Sequence, residues 1–145
     1  MIPMADNHHD INPVYRLELE SQIGELRRLD AFLRSIPDCA VLPPEAYHNI
    51  LLVLTEAVSN AMAHGNQYHP ERPVTVQASM ADRQLRMTVT DCGPGFDPST
   101  LPDPLHPDRL LQEGGRGVFL MRHMADEVTF ELTPEGLTVH LLVRW

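Results

Sequence analysis

Only two of the 145 residues are cysteine, Cys39 and Cys92, and they form no C-x-x-C pair. That excludes a disulfide-stapled scaffold and the common zinc and dithiol sites. Cys92 is expected to be a small buried residue, the usual fate of a free thiol. Long apolar runs are also missing. The longest, Ile50 to Leu54, stops at Thr55 and Glu56, far short of the ~20 residues a membrane-spanning helix needs. The start, MIPMADNHHDINP, has neither the positive beginning nor the apolar middle of a signal peptide, so the expected location is the cytoplasm, with no membrane partner. Basic residues are scarce: 11 Lys+Arg stand against 20 Asp+Glu, for a formal net charge of −9. Direct nucleic-acid binding needs a basic face and is not expected, whereas a basic protein surface or a magnesium-shielded phosphate suits such a chain. The eight histidines show no H-x-x-x-H or H-E-x-x-H spacing, so a metal site built from protein ligands alone is not expected.

The remaining composition, 43% hydrophobic and 21% charged, fits one compact domain. Residues 1–12 read as a flexible polar tail and residues 13–145 as a single domain, with no internal repeat. Val14 to Glu20 alternates apolar and charged residues as a half-buried strand does. Ser21 is placed to cap a helix from Gln22 on, whose Leu26, Leu29, Leu33 and Ile36 form one apolar stripe. Pro43 and Pro44 suit the start of a second helix, over Glu45 to His64. Ile50, Leu54, Ala57, Val58 and Ala61 lie on one of its faces, with Glu56, Asn60 and His64 on the other. Gly65 is the expected stop. Two β-rich runs, Val74 to Met80 and Leu85 to Asp91, meet in a hairpin at 81–84. A long loop from Cys92 to Gly114 then carries Pro94, Pro98, Pro102, Pro104 and Pro107; loops of that length in a compact domain are usually functional. A short helix from Gly117, a strand from Val128 and a closing strand from Leu137 complete the chain. The expected fold class is α+β, a two-layer sandwich with a mixed, mainly antiparallel sheet covered on one face by helices.

Three clusters carry possible chemistry. In L54-T-E-A-V-S-N-A-M-A-H-G-N66, Glu56 is the only formal charge between Ala46 and Gln67, and Asn60 is its i+4 neighbour. An amide oxygen is a suitable magnesium ligand, and a carboxylate one turn away can accept a proton; an ordinary exposed Glu–Asn pair is the alternative. In V89-T-D-C-G-P-G-F-D97, Asp91 stands at a strand end beside Gly93 and Gly95, where a flat ligand with an amine donor can approach backbone closely; a tight turn is the alternative. In E113-G-G-R-G-V-F-L-M121, a glycine-rich loop opens a helix and offers free N–H groups to phosphate, and Arg116 either clamps a phosphate or points to solvent. The long loop before it makes a dinucleotide-binding fold a poor fit.

Taken in this order, the clusters resemble the N, G1 and G2 boxes of the GHKL superfamily, which includes gyrase and the histidine kinases. E-A-V-S-N-A-x-x-H-G, D-x-G-x-G-F and G-R-G-V-F-L-M are similar, more narrowly, to the small bacterial anti-sigma serine/threonine kinases of partner-switching systems. The likeness runs from about Val14 to Trp145. It implies a Bergerat-type ATP-binding fold holding Mg-ATP between the long helix and a lid at 99–113. Glu56 would be the catalytic base, Asn60 the magnesium ligand and Asp91 the acceptor for the adenine amine. Gly93 and Gly95 would shape the purine pocket, Gly115 and Gly117 would approach the phosphates with Arg116 between them, and Thr138 would lie near adenine. Leu137 departs from the pattern, since the family often has a second threonine there. The resemblance further implies a homodimer that sequesters a sigma factor and phosphorylates a STAS-domain anti-anti-sigma protein. The complete sensor kinases and gyrase carry further domains and are disfavoured on length. The competing expectation is a nucleotide-gated binding regulator without phosphotransfer.

Overall fold

The computed structural model describes residues 12–93 and 115–145, and of 115–119 the backbone alone. The 1–11 segment and the lid at 99–113 lie outside the described residues. Five strands form one sheet: β1 (Val14–Leu19), β2 (Val74–Ala81), β3 (Gln84–Thr90), β4 (Glu127–Thr133) and β5 (Gly136–Arg144), in the order β1-β2-β3-β5-β4. Among the described residues three helices accompany them: α1 (Arg28–Ser35), α2 (Pro44–Asn60) and α3 (Gly115–Met124). The sheet was expected to be mixed and mainly antiparallel; every pairing among the described residues is antiparallel. β3 and β4 do run the same way, but β5 lies between them and is antiparallel to both.

Side-chain alternation gives the sheet two unlike faces. Leu17, Val76, Val89, Val139 and Phe130 lie across one register row, and Tyr15, Ala78, Met87, Leu141 and Val128 across the next. Both rows belong to the core that α1 and α2 cover with Leu29, Leu33, Ile50, Val53, Leu54 and Val58. The opposite face is polar, and it bends into a groove of about 480 Å³ lined by Gln77, Ser79, Arg86, Thr88, Thr129 and His140 among others. Turn chemistry sets the register at both hairpins. Asp82-Arg83, with Arg83 at φ 54°, makes a tighter turn than the four residues expected, and Gly136 leaves the β4–β5 turn at φ 152°.

Where α1 begins, the expectation fails. Ser21 is buried and caps nothing; its hydroxyl donates to the Arg72 carbonyl (2.6 Å) and accepts from Asn66 Nδ2 (3.0 Å). Without a cap, and with Gly24 in the first turn, residues Ile23–Arg27 wind as a tight 3-10 turn and the α-helix starts at Arg28. Helix α2 starts at Pro44 as expected, with Pro43 at its cap position. The two helices meet through Tyr47, whose hydroxyl donates to the Asp30 carboxylate while the Arg34 guanidinium lies over its ring at 4.8 Å. The Tyr47 bond holds the Asp30 carboxyl below its usual range, helped by Arg34, and burial together with Asp30 pushes the Tyr47 phenol up to about 12. No helix among the described residues is long and apolar enough to cross a membrane.

The cysteines reverse the expected pattern. Cys39 is the buried one, and burial raises its thiol to about 11. Cys92 is exposed, because its neighbour Asp91 takes the inward position at the end of β3. At about pH 8, a disulfide-forming thiol reagent is therefore expected to modify Cys92 in the native chain and to reach Cys39 only as the protein unfolds. Two fast-reacting thiols in the native protein would contradict this packing.

Candidate functional site

The functional cluster is built around the end of β3. Strand alternation turns Asp91 toward the helix-covered face, where it is 3% exposed. Its Oδ1 accepts two backbone N–H groups, from Gly93 and from Leu137, each at 3.0 Å, and its own N–H donates to the Leu137 carbonyl at 3.0 Å. A carboxylate held this way cannot rotate freely.

Its other oxygen, Oδ2, faces Gly65. A Cβ on Gly65 would lie 2.0 Å from that oxygen, so only glycine admits the approach. The helical run stops at Gly65 as expected, though without a positive φ, since among the described glycines only Gly136 has one. Close contact with Asp91 is the further reason that this stop is a glycine. Gly136 faces both demands: its φ is 152°, and a Cβ there would lie 2.2 Å from the Asp91 carbonyl oxygen.

Helix α2 reaches this cluster through a change of pitch. The α-helix ends at Asn60, and residues Ala61–Gly65 form a π-helical turn, a feature that often marks functional sites. The Asn66 N–H donates to the Ala61 carbonyl (2.8 Å) and closes the turn. Asn66 is fully buried. Its Nδ2 donates to Ser21 Oγ (3.0 Å) and to the carbonyls of Arg72 (2.7 Å) and Pro73 (3.1 Å), while its Oδ1 accepts from the Cys92 N–H at 2.7 Å.

Glu56 and Asn60 are both half-buried on the side of α2 away from Ile50 and Leu54, one turn apart. Asn60 Nδ2 is the one buried side-chain polar atom among the described residues without a hydrogen-bond partner. The orphaned atom is a donor that fits an acceptor oxygen such as a phosphate's, and the amide oxygen of the same side chain is the kind of hard donor that magnesium prefers. No group of three or more His, Cys, Asp or Glu that could hold a metal occurs among the described residues. A cation at Asn60 would therefore need further oxygens from a phosphate or water.

Gly115 and Gly117 lie in the first turn of α3, which packs against α2. The helix thus starts at Gly115 rather than Gly117, and the backbone of Gly115, Arg116 and Gly117 supplies the N–H groups that a first turn leaves free. Gly95 lies outside the described residues. Thr138 does not join the cluster. It pairs with Thr90 across β3 and β5, with the two hydroxyls 3.1 Å apart, and alternation places both on the polar face with Thr88 and His140. Leu137, opposite Asp91, is the residue of that strand that reaches the site, and it does so through its backbone. Sequence reasoning assigned no role to Asn66, Gly136 or Leu137; the alternation Leu137, Val139, Leu141 already signalled that Thr138 faces away.

Comparison with known proteins identifies the family and the fold. A profile described as the histidine kinase-like ATPase domain matches residues 19–143. An anti-sigma F factor of Bacillus cytotoxicus is 30% identical over 87% of this chain and 91% of its own length. A second anti-sigma F factor, from Bacillus subtilis, is 33% identical over 63% of this chain and 65% of its own. A serine-protein kinase RsbW of Listeria innocua is 26% identical over 94% of this chain and 87% of its own. Among solved structures, one comprising RsbU and RsbW domains from Mycobacterium tuberculosis superposes with a TM-score of 0.64 at 21% identity. That match covers 91% of this chain and 32% of the larger one, and it shows the shared fold. The chain belongs to the histidine kinase-like ATPase family, among relatives that include anti-sigma F factors and an RsbW serine-protein kinase.

Proposed function

We propose that this chain binds Mg-ATP and uses it as an anti-sigma serine/threonine kinase: it sequesters a sigma factor and phosphorylates a STAS-domain anti-anti-sigma protein. The observation that carries the reading is the joining of two chemistries by one π-turn. The Glu56–Asn60 pair lies on one side of that turn, and the caged carboxylate of Asp91 lies on the other. Both relatives' names, anti-sigma F factor and serine-protein kinase, support the same role.

In this reading Asp91 accepts from the exocyclic amine of adenine. With Oδ1 engaged by two backbone donors, its other oxygen is the acceptor. Guanine would present a carbonyl at that position and leave the carboxylate facing a second acceptor, an unpaired arrangement that discriminates strongly. Gly93 forms the wall beside the base. The backbone at Gly115, Arg116 and Gly117 donates to phosphate oxygens at the start of α3. Asn60 Oδ1 would hold magnesium, which when bound would neutralise charge on the phosphates. Glu56 orients the serine or threonine hydroxyl and takes its proton as the new oxygen–phosphorus bond forms in line with the bond to the β-phosphate that breaks. The products are ADP and a phosphorylated partner. Thr138 has no part in this scheme, because it faces the other side of the sheet. The net charge of −9 suits a basic face on a protein partner, and a homodimer completes the proposal.

Two variants test it. Glu56→Ala is expected to lower transfer of labelled γ-phosphate to the STAS-domain partner by ~100-fold or more, with Mg-ADP affinity within about twofold of wild type; full transfer would remove Glu56 from the chemistry. Wild-type chain that binds nucleotide but labels no partner would instead indicate a nucleotide-gated binding regulator. Gly65→Ala drives a methyl group into the Asp91 carboxylate and is expected to weaken Mg-ADP binding by about tenfold or more, read by calorimetry on the folded variant. Unchanged affinity would show that Asp91 does not contact the nucleotide.

A further inference from the structure

We propose that Asn66 is a positioning residue for base recognition, fixing the backbone that carries Asp91 to the end of α2. The inference rests on the nucleotide reading above and extends it to a residue that touches no ligand.

The hydrogen bonds of the Asp91–Gly93 segment divide between two flanks. Asp91 N–H and Oδ1 are tied to Leu137, on the β5 side. Gly93 N–H turns back on Asp91 itself. The remaining N–H, that of Cys92, points the other way, beyond the last ladder pair of β3, and Asn66 Oδ1 takes it at 2.7 Å. Removing that acceptor leaves the segment held on one flank alone. The same residue closes the π-turn that begins directly after Asn60. One buried side chain and its own N–H thus set the spacing between the proposed metal side and base side of the site.

A residue that served only to fold the 66–73 loop would need just the Nδ2 bonds to Ser21, Arg72 and Pro73. The Oδ1 bond reaches a different segment, 26 positions away. This division allows the two roles to be separated by experiment.

Wild-type chain, Asn66→Ala and Ser21→Ala are each titrated with Mg-ADP and Mg-GDP by calorimetry, with thermal melting to measure folding. Wild type is expected to prefer ADP. Asn66→Ala is expected to bind ADP about tenfold more weakly, the equivalent of one hydrogen bond supporting a charged group, with GDP binding unchanged, so that base preference collapses. Ser21→Ala loses loop bonds but keeps the Cys92 tie, and it is expected to melt earlier while retaining full base preference. A folded Asn66→Ala with wild-type preference would overturn the proposal and leave Asn66 a purely structural residue. Should Asn66→Ala not fold, hydrogen exchange in the wild-type chain decides. The Cys92 amide is expected to be protected like the amides of β3, and exchange at an open-loop rate would overturn the proposal. Wild type binding neither nucleotide would overturn the ATP reading itself, a result distinct from failure of the Asn66 role alone.

Discussion

At the end of β3 a carboxylate is brought against backbone from two segments remote in sequence, the end of α2 and the β4–β5 turn. That approach requires three things at once. Gly65 and Gly136 must lack side chains, because a Cβ at either would overlap Asp91. The helix must change pitch after Asn60 so that Gly65 arrives at the right height. Strand register must set Leu137 opposite Asp91, so that its N–H meets Oδ1. The remainder of the fold maintains these conditions. The five-stranded sheet fixes the register, and the apolar face of α2 fixes the helix on the sheet through Ile50, Leu54 and Val58.

This arrangement explains how a small domain can hold polar chemistry without unfolding around it. A buried carboxylate is costly unless it is hydrogen-bonded, and Asp91 Oδ1 meets that demand with two backbone donors. Asn60 is the contrasting case, since its buried nitrogen has no partner among the described residues. The chain belongs to the histidine kinase-like ATPase family, and Asp91 and Asn60 are the two side chains on which the proposed nucleotide site rests.

Much of the fold was legible because it rests on periodicity. The stripes of α1 and α2, the alternation of β1 and the hairpin at 81–84 all follow from where apolar residues recur. The candidate site was legible through residue type and order: Glu56, Asn60 and Asp91 stand in motifs whose chemistry constrains them. What sequence could not give were partners across long separations. Ser21 looks like a helix cap until Asn66, 45 positions later, and Arg72 claim its hydroxyl. Gly65 reads as a helix stop, which it is, but its close approach to Asp91, 26 positions later, is not legible. Thr138 was misplaced for another reason, since family likeness outweighed the two-residue period that puts it on the polar face beside Thr90. The sheet's connectivity was equally hidden, because nothing local says that β5 inserts between β3 and β4.

The central claim is that Asp91 reads adenine from its cage, and titration of wild-type chain and Asp91→Asn with Mg-ADP tests it most directly. Asparagine keeps one oxygen for the two backbone donors but turns an amide, a donor, toward the adenine amine. The account requires clear binding by wild type and at least about tenfold weaker binding by the variant, with both proteins melting cooperatively. Equal affinity in the two, or no binding by wild type, would contradict it.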